Sequence, residues 1–149
     1  MNFVCLPFTG LSTAQLYEIL HLRSEVFVVE QNCVYQDLDR KDTQAGVEHL
    51  MMLDNNNLVG YARLLPAGIS YDTPSIGRII ISPKSRDKGL GRVLVKEAMA
   101  RTYSLWPNAA ITIGAQSHLS AMYQSFGFSE VSEPYLEDGI LHVDMMAPN

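Results

Sequence analysis

Residues 76–91, IGRIIISPKSRDKGLG, constrain this chain more than any other stretch. A strand that is apolar on both faces, 76–81, runs through Ser82 and Pro83 and a basic turn into glycines that open a helix from 89 to about 105. Glycines at a helix start let a ligand come close to the backbone, and the first-turn N–H groups have no partner within the helix. Together with the positive end of the helix dipole and with Arg86, Lys88 and Arg92, those donors make a cradle for phosphate. The alternative, glycines that only shape a strand-to-helix corner, leaves the surrounding cations unexplained. Neither G-x-G-x-x-G nor G-x-x-x-x-G-K-[ST] is present, so the dinucleotide and P-loop readings do not apply.

A length of 149 residues suits one compact domain over 1–149. An apolar content of 47% against 18% charged residues argues for a globular fold over disorder. The net charge of −5 disfavours nucleic acid or an anionic membrane as the main partner. A ligand with several phosphates therefore needs a local positive patch, which residues 84–92 supply. No basic leader opens the chain and no apolar run approaches the roughly 18 residues of a membrane span, so a cytoplasmic protein is expected. Cys5 and Cys33 are too few for a disulfide framework, and with His21, His49, His118 and His142 scattered no metal is expected.

The remaining segments read as a short strand at 2–6 and a helix from 13 to about 29, in one or two pieces. Ser12 and Gln15 form its capping box, with Leu11 and Leu16 placed for a hydrophobic staple. The segment 37–44 is polar and reads as a loop. Strands 48–53 and 58–65 flank the Asn-rich turn 54–57. After the glycines, Leu90, Val93, Leu94, Ala98 and Met99 form an apolar stripe that faces the sheet. A strand at 110–115 follows, then a short helix capped by Ser117 and ended by Gly127, then strands 129–131 and 140–145 around the turn 137–139. The order β-α-β-β-β-α-β-α-β-β is that of a mixed α/β layered domain.

The order strand, proline, basic turn, R-x-x-G-x-G and helix resembles the acetyl-CoA motif of the GNAT N-acetyltransferase superfamily. Three more segments match: YQSFGF at 123–128, LRSEVFVVEQ at 22–31 with Cys33 and Tyr35 after it, and YLEDGILH at 135–142. The last two resemble the ElaA-like branch, and together the likeness covers nearly the whole chain. It implies a GNAT-like α/β (α+β) fold: a mixed, mostly antiparallel central sheet with helices on both faces and a splayed, bulged fourth strand. It implies acetyl-CoA as co-substrate, its pantetheine arm bonded by the backbone of Ile79, Ile80 and Ile81 in the manner of an added strand. Its pyrophosphate would then be held by Arg86, Asp87, Lys88, Gly89, Leu90, Gly91 and Arg92. Gln116 stands where the family often has an Asn that bonds the coenzyme. Homodimers are frequent in the family.

Acyl transfer to an amine needs a neutral amine, a stabilised oxyanion and a proton for the departing thiolate. The resemblance assigns that proton to Tyr123, whose phenol is protonated at neutral pH at its ordinary pKa of about 10; the bland reading is a core aromatic. A backbone N–H in 79–81 is the expected oxyanion donor. Glu30 follows an apolar run at a helix end, where partial burial raises a carboxylate's pKa. It is read as general base or cation anchor, against a solvated helix-end carboxylate. His49 and Arg78 are the substrate-binding candidates. For His49, as for His142, a hydrogen-bonded structural histidine is the competing reading. Arg63 and Arg78 lie in apolar strands and need partners such as Glu30, Glu48 or a substrate carboxylate. Cys33 reads as a small buried hydrophobe.

The function expected is therefore acetyl-CoA-dependent N-acetyl transfer to a primary amine, small molecule or peptide, by direct transfer in a ternary complex. The alternative is a non-catalytic acyl-CoA-binding or sensor domain. A nucleotide-binding module lacks an acidic metal-binding or ribose-binding motif beside the glycines.

Overall fold

The computed structural model describes residues 1–149. Strands β1 (Asn2–Pro7), β2 (Glu48–Asp54), β3 (Asn57–Leu65) and β4 (Ser75–Ile81) form an antiparallel meander. Beyond it come β5 (Ile111–Gln116), β6 (Ser129–Glu130), β7 (Tyr135–Glu137) and β8 (Ile140–Ala147). The spatial order is β1-β2-β3-β4-β5-β8-β6, with β7 also on β8. Only β4 and β5 run parallel, so the sheet is mixed and mostly antiparallel. β7 is an element the periodicity did not give, because three residues are too short for an alternating pattern to register.

Helices cover both faces. Along β2, Leu50 and Met52 join the core beneath α2 (Leu90–Leu105) and α3 (Ser120–Gln124), while Met51 joins Ile19, Leu22 and Val26 beneath the first helix. This period of two with both faces apolar is what a strand buried on both sides requires. On α2 the buried residues are Leu94, Val95, Ala98 and Thr102, and Val93 is exposed. The stripe is thus rotated from the expected one. Thr102 donates its hydroxyl to the Ala98 carbonyl at 2.7 Å, which removes its polarity from the core.

The first helix is in two pieces. α1 (Thr13–Arg23) starts with the reciprocal Ser12–Gln15 capping box, at 2.9 and 3.0 Å. It then widens into a π-helical stretch, Ser24–Glu30. Bonds from Gln31 N–H to Val26 O at 3.1 Å and from Cys33 N–H to Val28 O at 3.0 Å continue the wide i→i−5 pattern. Ser117 does not cap a helix: its hydroxyl is buried without a partner, and a 3₁₀ turn, Ser117–Leu119, precedes α3. Gly127, at φ 98°, ends that segment as expected. No helix is long and apolar enough to cross a membrane.

Candidate active site

The site originates at a bulge. In the β3·β4 pair the register slips between Tyr61 and Arg63, and Arg78 takes φ 53°, a left-handed geometry costing about 1 kcal/mol or more in a non-glycine residue. Inserting one residue exchanges the faces of the strand. Before the bulge Ile76 faces the α2 side; after it Ile79 and Ile81 do, and Ile80 turns to the α1 side. The strand also leaves its neighbour here, since β4 and β5 pair only at Ser75 and Thr112. The edge of residues 79–81 that faces β5 is therefore open.

α2 begins at the mouth of this gap. Its N-cap, Gly89, has φ 75° and no side chain caps the first-turn N–H groups. A cavity of about 500 Å³ gathers the strand edge and the helix start. Residues 79–81, Arg86, Asp87, residues 89–91 and Gln116 all line it. Lys88 and Arg92 do not: Arg92 bonds Ser125 Oγ at 3.0 Å and lies 4.6 Å over the Phe126 ring. The positive charge in the cavity is thus carried by Arg86.

Glu30 lies in this same cavity and grips Arg86 through two bonds of 2.8 and 2.7 Å, with both side chains more than a third exposed. The Arg86 hydrogen bonds pull its carboxyl below the ordinary range. The expected burial and raised pKa are absent, because the side chain leaves the apolar run for a partner at the surface.

A second cavity, about 620 Å³, opens on the other side of the gap. Phe27, Gln31, Ile79, Gln116, Leu119 and Tyr123 line both cavities, so the two meet there. Tyr123 is only 6% exposed and stacks edge-on against Phe128. Burial pushes its phenol up to about 12.

One wall of the second cavity is an ionic lattice that the sequence reading did not foresee. Arg23, fully buried, bonds Asp37 at 3.0 Å and Asp42 at 2.6 Å. Arg63 bonds Asp39 at 2.8 Å and Asp42 at 2.9 Å. Arg78 bonds Asp37 at 2.8 Å and Asp39 at 3.3 Å. Three guanidiniums meet three carboxylates, so the buried charge cancels. Burial alone would raise the Asp39 carboxyl, but the Arg63 hydrogen bonds and charge take it down to about 2. The partners of Arg63 and Arg78 are neither Glu30 nor Glu48 but the loop read as merely polar. The available signal was stoichiometric: three acidic residues in one short loop match three arginines in apolar elements.

Arg78 does line the second cavity; His49 lines neither. The His49 ring is buried, accepts from Tyr61 Oη at 2.6 Å through Nδ1, and donates from Nε2 to the Asp42 carbonyl at 3.0 Å. Burial lowers its pKa and keeps it neutral, so the structural reading holds for this residue.

Residues 13–147 match the model of the acetyltransferase (GNAT) domain family. Protein ElaA of Escherichia coli (strain K12) is 44% identical over 135 residues, covering 91% of this chain and 88% of that protein. The crystal structure of E. coli ElaA superimposes with a TM-score of 0.92 at 40% identity, covering 98% of each chain. An acyl-CoA N-acyltransferase from Pseudomonas aeruginosa superimposes with a TM-score of 0.93 at 38% identity, covering 99% of each chain.

Proposed function

The chain belongs to the GNAT acetyltransferase family, in its ElaA-like branch, and from that premise we propose that it moves the acetyl group of acetyl-CoA directly to a primary amine while both substrates are bound. The observation that carries this reading is the meeting of two cavities at Tyr123 and Gln116. One cavity has an uncapped helix start, a left-handed glycine and an arginine, which suit a pyrophosphate. Beside it runs an unpaired strand edge, which suits the amide-rich pantetheine arm. The other cavity, with its mixed polar lining, takes the acceptor.

In this reading the backbone N–H groups of residues 79–81 hold the arm and stabilise the oxyanion that forms on the acetyl carbonyl. The amine nitrogen adds to that carbonyl and the C–S bond breaks. Tyr123 gives the thiolate its proton and recovers one from the new amide nitrogen. A phenol pushed up to about 12 keeps its proton at neutral pH, as a donor must. Arg86 supports the pyrophosphate once it leaves Glu30, and Gln116 is positioned to bond the coenzyme at the junction.

The test is steady-state kinetics with acetyl-CoA and primary amines, following thiol release. Direct transfer predicts intersecting double-reciprocal lines as both substrates vary. Parallel lines would indicate an acetyl-enzyme and reject the ternary complex. Acetyl-CoA binding without thiol release to any amine would favour the sensor alternative.

A further inference from the structure

The β7–β8 hairpin holds a group of side chains that the transfer chemistry above leaves unused: Tyr135, Glu137, His142 and Asp144. In the sheet register His142 lies directly opposite Gln116 of β5 on one side and Tyr135 of β7 on the other. Directly opposed residues share a face of the sheet, so the ring stands beside the side chain that borders both cavities. His142 lines the acceptor-side cavity.

The ring is held in one orientation. It stacks on Tyr135, centroids 6.0 Å apart and planes 22° from parallel. Tyr135 donates to Asp144 Oδ1 at 2.6 Å, and Tyr71 donates to the same oxygen at 2.9 Å. Gly114 leaves the room for this: a Cβ there would sit 2.9 Å from the Tyr71 hydroxyl and 3.1 Å from that of Tyr135. His142 Nδ1 is 2.8 Å from the Ile140 carbonyl oxygen, which can only accept. In the neutral ring Nδ1 therefore carries the hydrogen and Nε2 carries the lone pair.

Nε2 has no hydrogen-bond partner. Its nearest ion-pair neighbour is Glu137 Oε2 at 3.7 Å, too long for a hydrogen bond. The titratable groups around the ring are Glu137 and Tyr135 on β7, Asp138 in the turn, and Tyr71 acting through Asp144. Tyr123, Asp39, Lys41, Arg63 and Arg78 line the same cavity elsewhere. A neutral imidazole with a fixed tautomer and a free lone pair, with the Glu137 carboxylate beside that nitrogen, is built to receive a proton from a cation.

We propose that His142 is the general base for the acceptor. The ammonium of the bound amine transfers one proton to His142 Nε2, giving imidazolium and a neutral amine. The amine then attacks as described above, and the imidazolium returns its proton to solvent after the amide leaves. Glu137 and Asp138 steer the cationic acceptor toward this nitrogen. The assignment rests on the acetyl-transfer reading and adds the base that reading lacks.

The experiment has an arm independent of turnover. Nitrogen-15 histidine spectra of the whole protein, with His142 assigned from the spectrum of His142→Gln, should give the Nδ1–H tautomer for the neutral ring. The turnover arm uses acetyl-CoA with putrescine, L-lysine ethyl ester and a tripeptide with a free N-terminus. With whichever amine releases thiol fastest, His142→Gln should lower kcat/KM for the amine roughly 10²–10⁴-fold and abolish the acidic limb of its pH profile. Acetyl-CoA affinity by calorimetry should stay at the parental value, which also reports that the variant is folded. Added imidazole should restore part of the activity of His142→Ala. An Nε2–H tautomer, or an acidic limb that persists in His142→Gln, overturns the base assignment and leaves acetyl transfer standing. If the parent releases thiol with none of the three amines, the transfer reading falls and this assignment with it.

Discussion

Glu30 and Arg86, 56 residues apart in sequence, clasp each other through two parallel hydrogen bonds beside the glycines that open α2. The carboxylate occupies the one guanidinium that lines the cavity suited to a pyrophosphate. Both groups are well exposed, so solvent screens the pair and its worth is about 0.2–1 kcal/mol. Glu30→Gln should therefore free Arg86 and raise acetyl-CoA affinity up to about fivefold by calorimetry. Weaker binding in that variant would show that the carboxylate helps hold the coenzyme.

Gly91 is the cleaner of the two glycines to alter. A Cβ there meets nothing nearer than Ile81 Cγ1 at 4.0 Å, whereas Gly89 has φ 75° and any side chain strains it. Gly91→Glu should fold normally and put a carboxylate where phosphates are to sit. The parent, at acetyl-CoA one hundred times its Kd, should gain about 2.7 kcal/mol of stability, and Gly91→Glu should gain none at that concentration. An equal thermal shift in both proteins would sink the cradle assignment.

Tyr123→Phe removes one hydroxyl from the junction of the cavities. It should lower kcat roughly 10²–10⁴-fold when proton transfer to the thiolate limits the rate, with acetyl-CoA affinity unchanged. Because burial pushes the phenol up to about 12, the parental rate should show no loss from tyrosine ionisation up to about pH 10. Parental kcat in Tyr123→Phe, with chemistry rate-limiting, would take the residue out of the mechanism.

The Arg–Asp lattice makes stability depend on acid. The folded Asp39 carboxyl, pulled down to about 2, lies below the unfolded value of about 3.9, and Asp42 is lowered as well. A depressed folded pKa adds stability that is complete above about pH 4 and lost as the pH falls toward 2. Urea unfolding between pH 6 and 2 should reveal that decline. At neutral pH Asp42→Asn leaves Arg23 with Asp37 and Arg63 with Asp39 but three guanidiniums against two carboxylates, and that uncompensated buried charge should cost about 3–5 kcal/mol. A change below about 1 kcal/mol would mean that the arginines find other partners.

Much of the fold was legible because its signals are local. The Ser12–Gln15 box, the Asn-rich turn, the strand into Gly89 and Gly91, and the left-handed Gly127 each depend on residues within a few positions of one another. The cavity beside Gly89 was legible for the same reason, and Gln116 and Tyr123, singled out through the resemblance, both line the cavities. The buried face of α2 was misjudged by a fraction of a turn, since Val93 and Val95 are equally apolar and only the neighbouring layer chooses between them. Arg23 and Tyr135 were visible only as members of motifs, without their partners, and Tyr71 and Asp144 gave no signal at all. A charged or phenolic residue carries no sign in its own neighbourhood of what it will meet after folding.

From its sequence alone the chain determined the order of its elements, the strand–turn–helix that opens the candidate site, and its membership in an acyltransferase family. The first two rest on propensity, periodicity and turn chemistry, which act over a few residues; the third rests on the resemblance of its motifs to the family's. The tertiary structure decided which charges pair and which face each side chain takes. Asp37 reaches Arg78 across 41 residues, and Glu30 answers to Arg86 and not to the apolar run before it. Burial silenced His49, and the bulge at Arg78 exchanged the faces of the three isoleucines after it. Hydrogen bonds and Coulomb attraction depend on distance in space, and for groups this far apart along the chain only packing sets that distance.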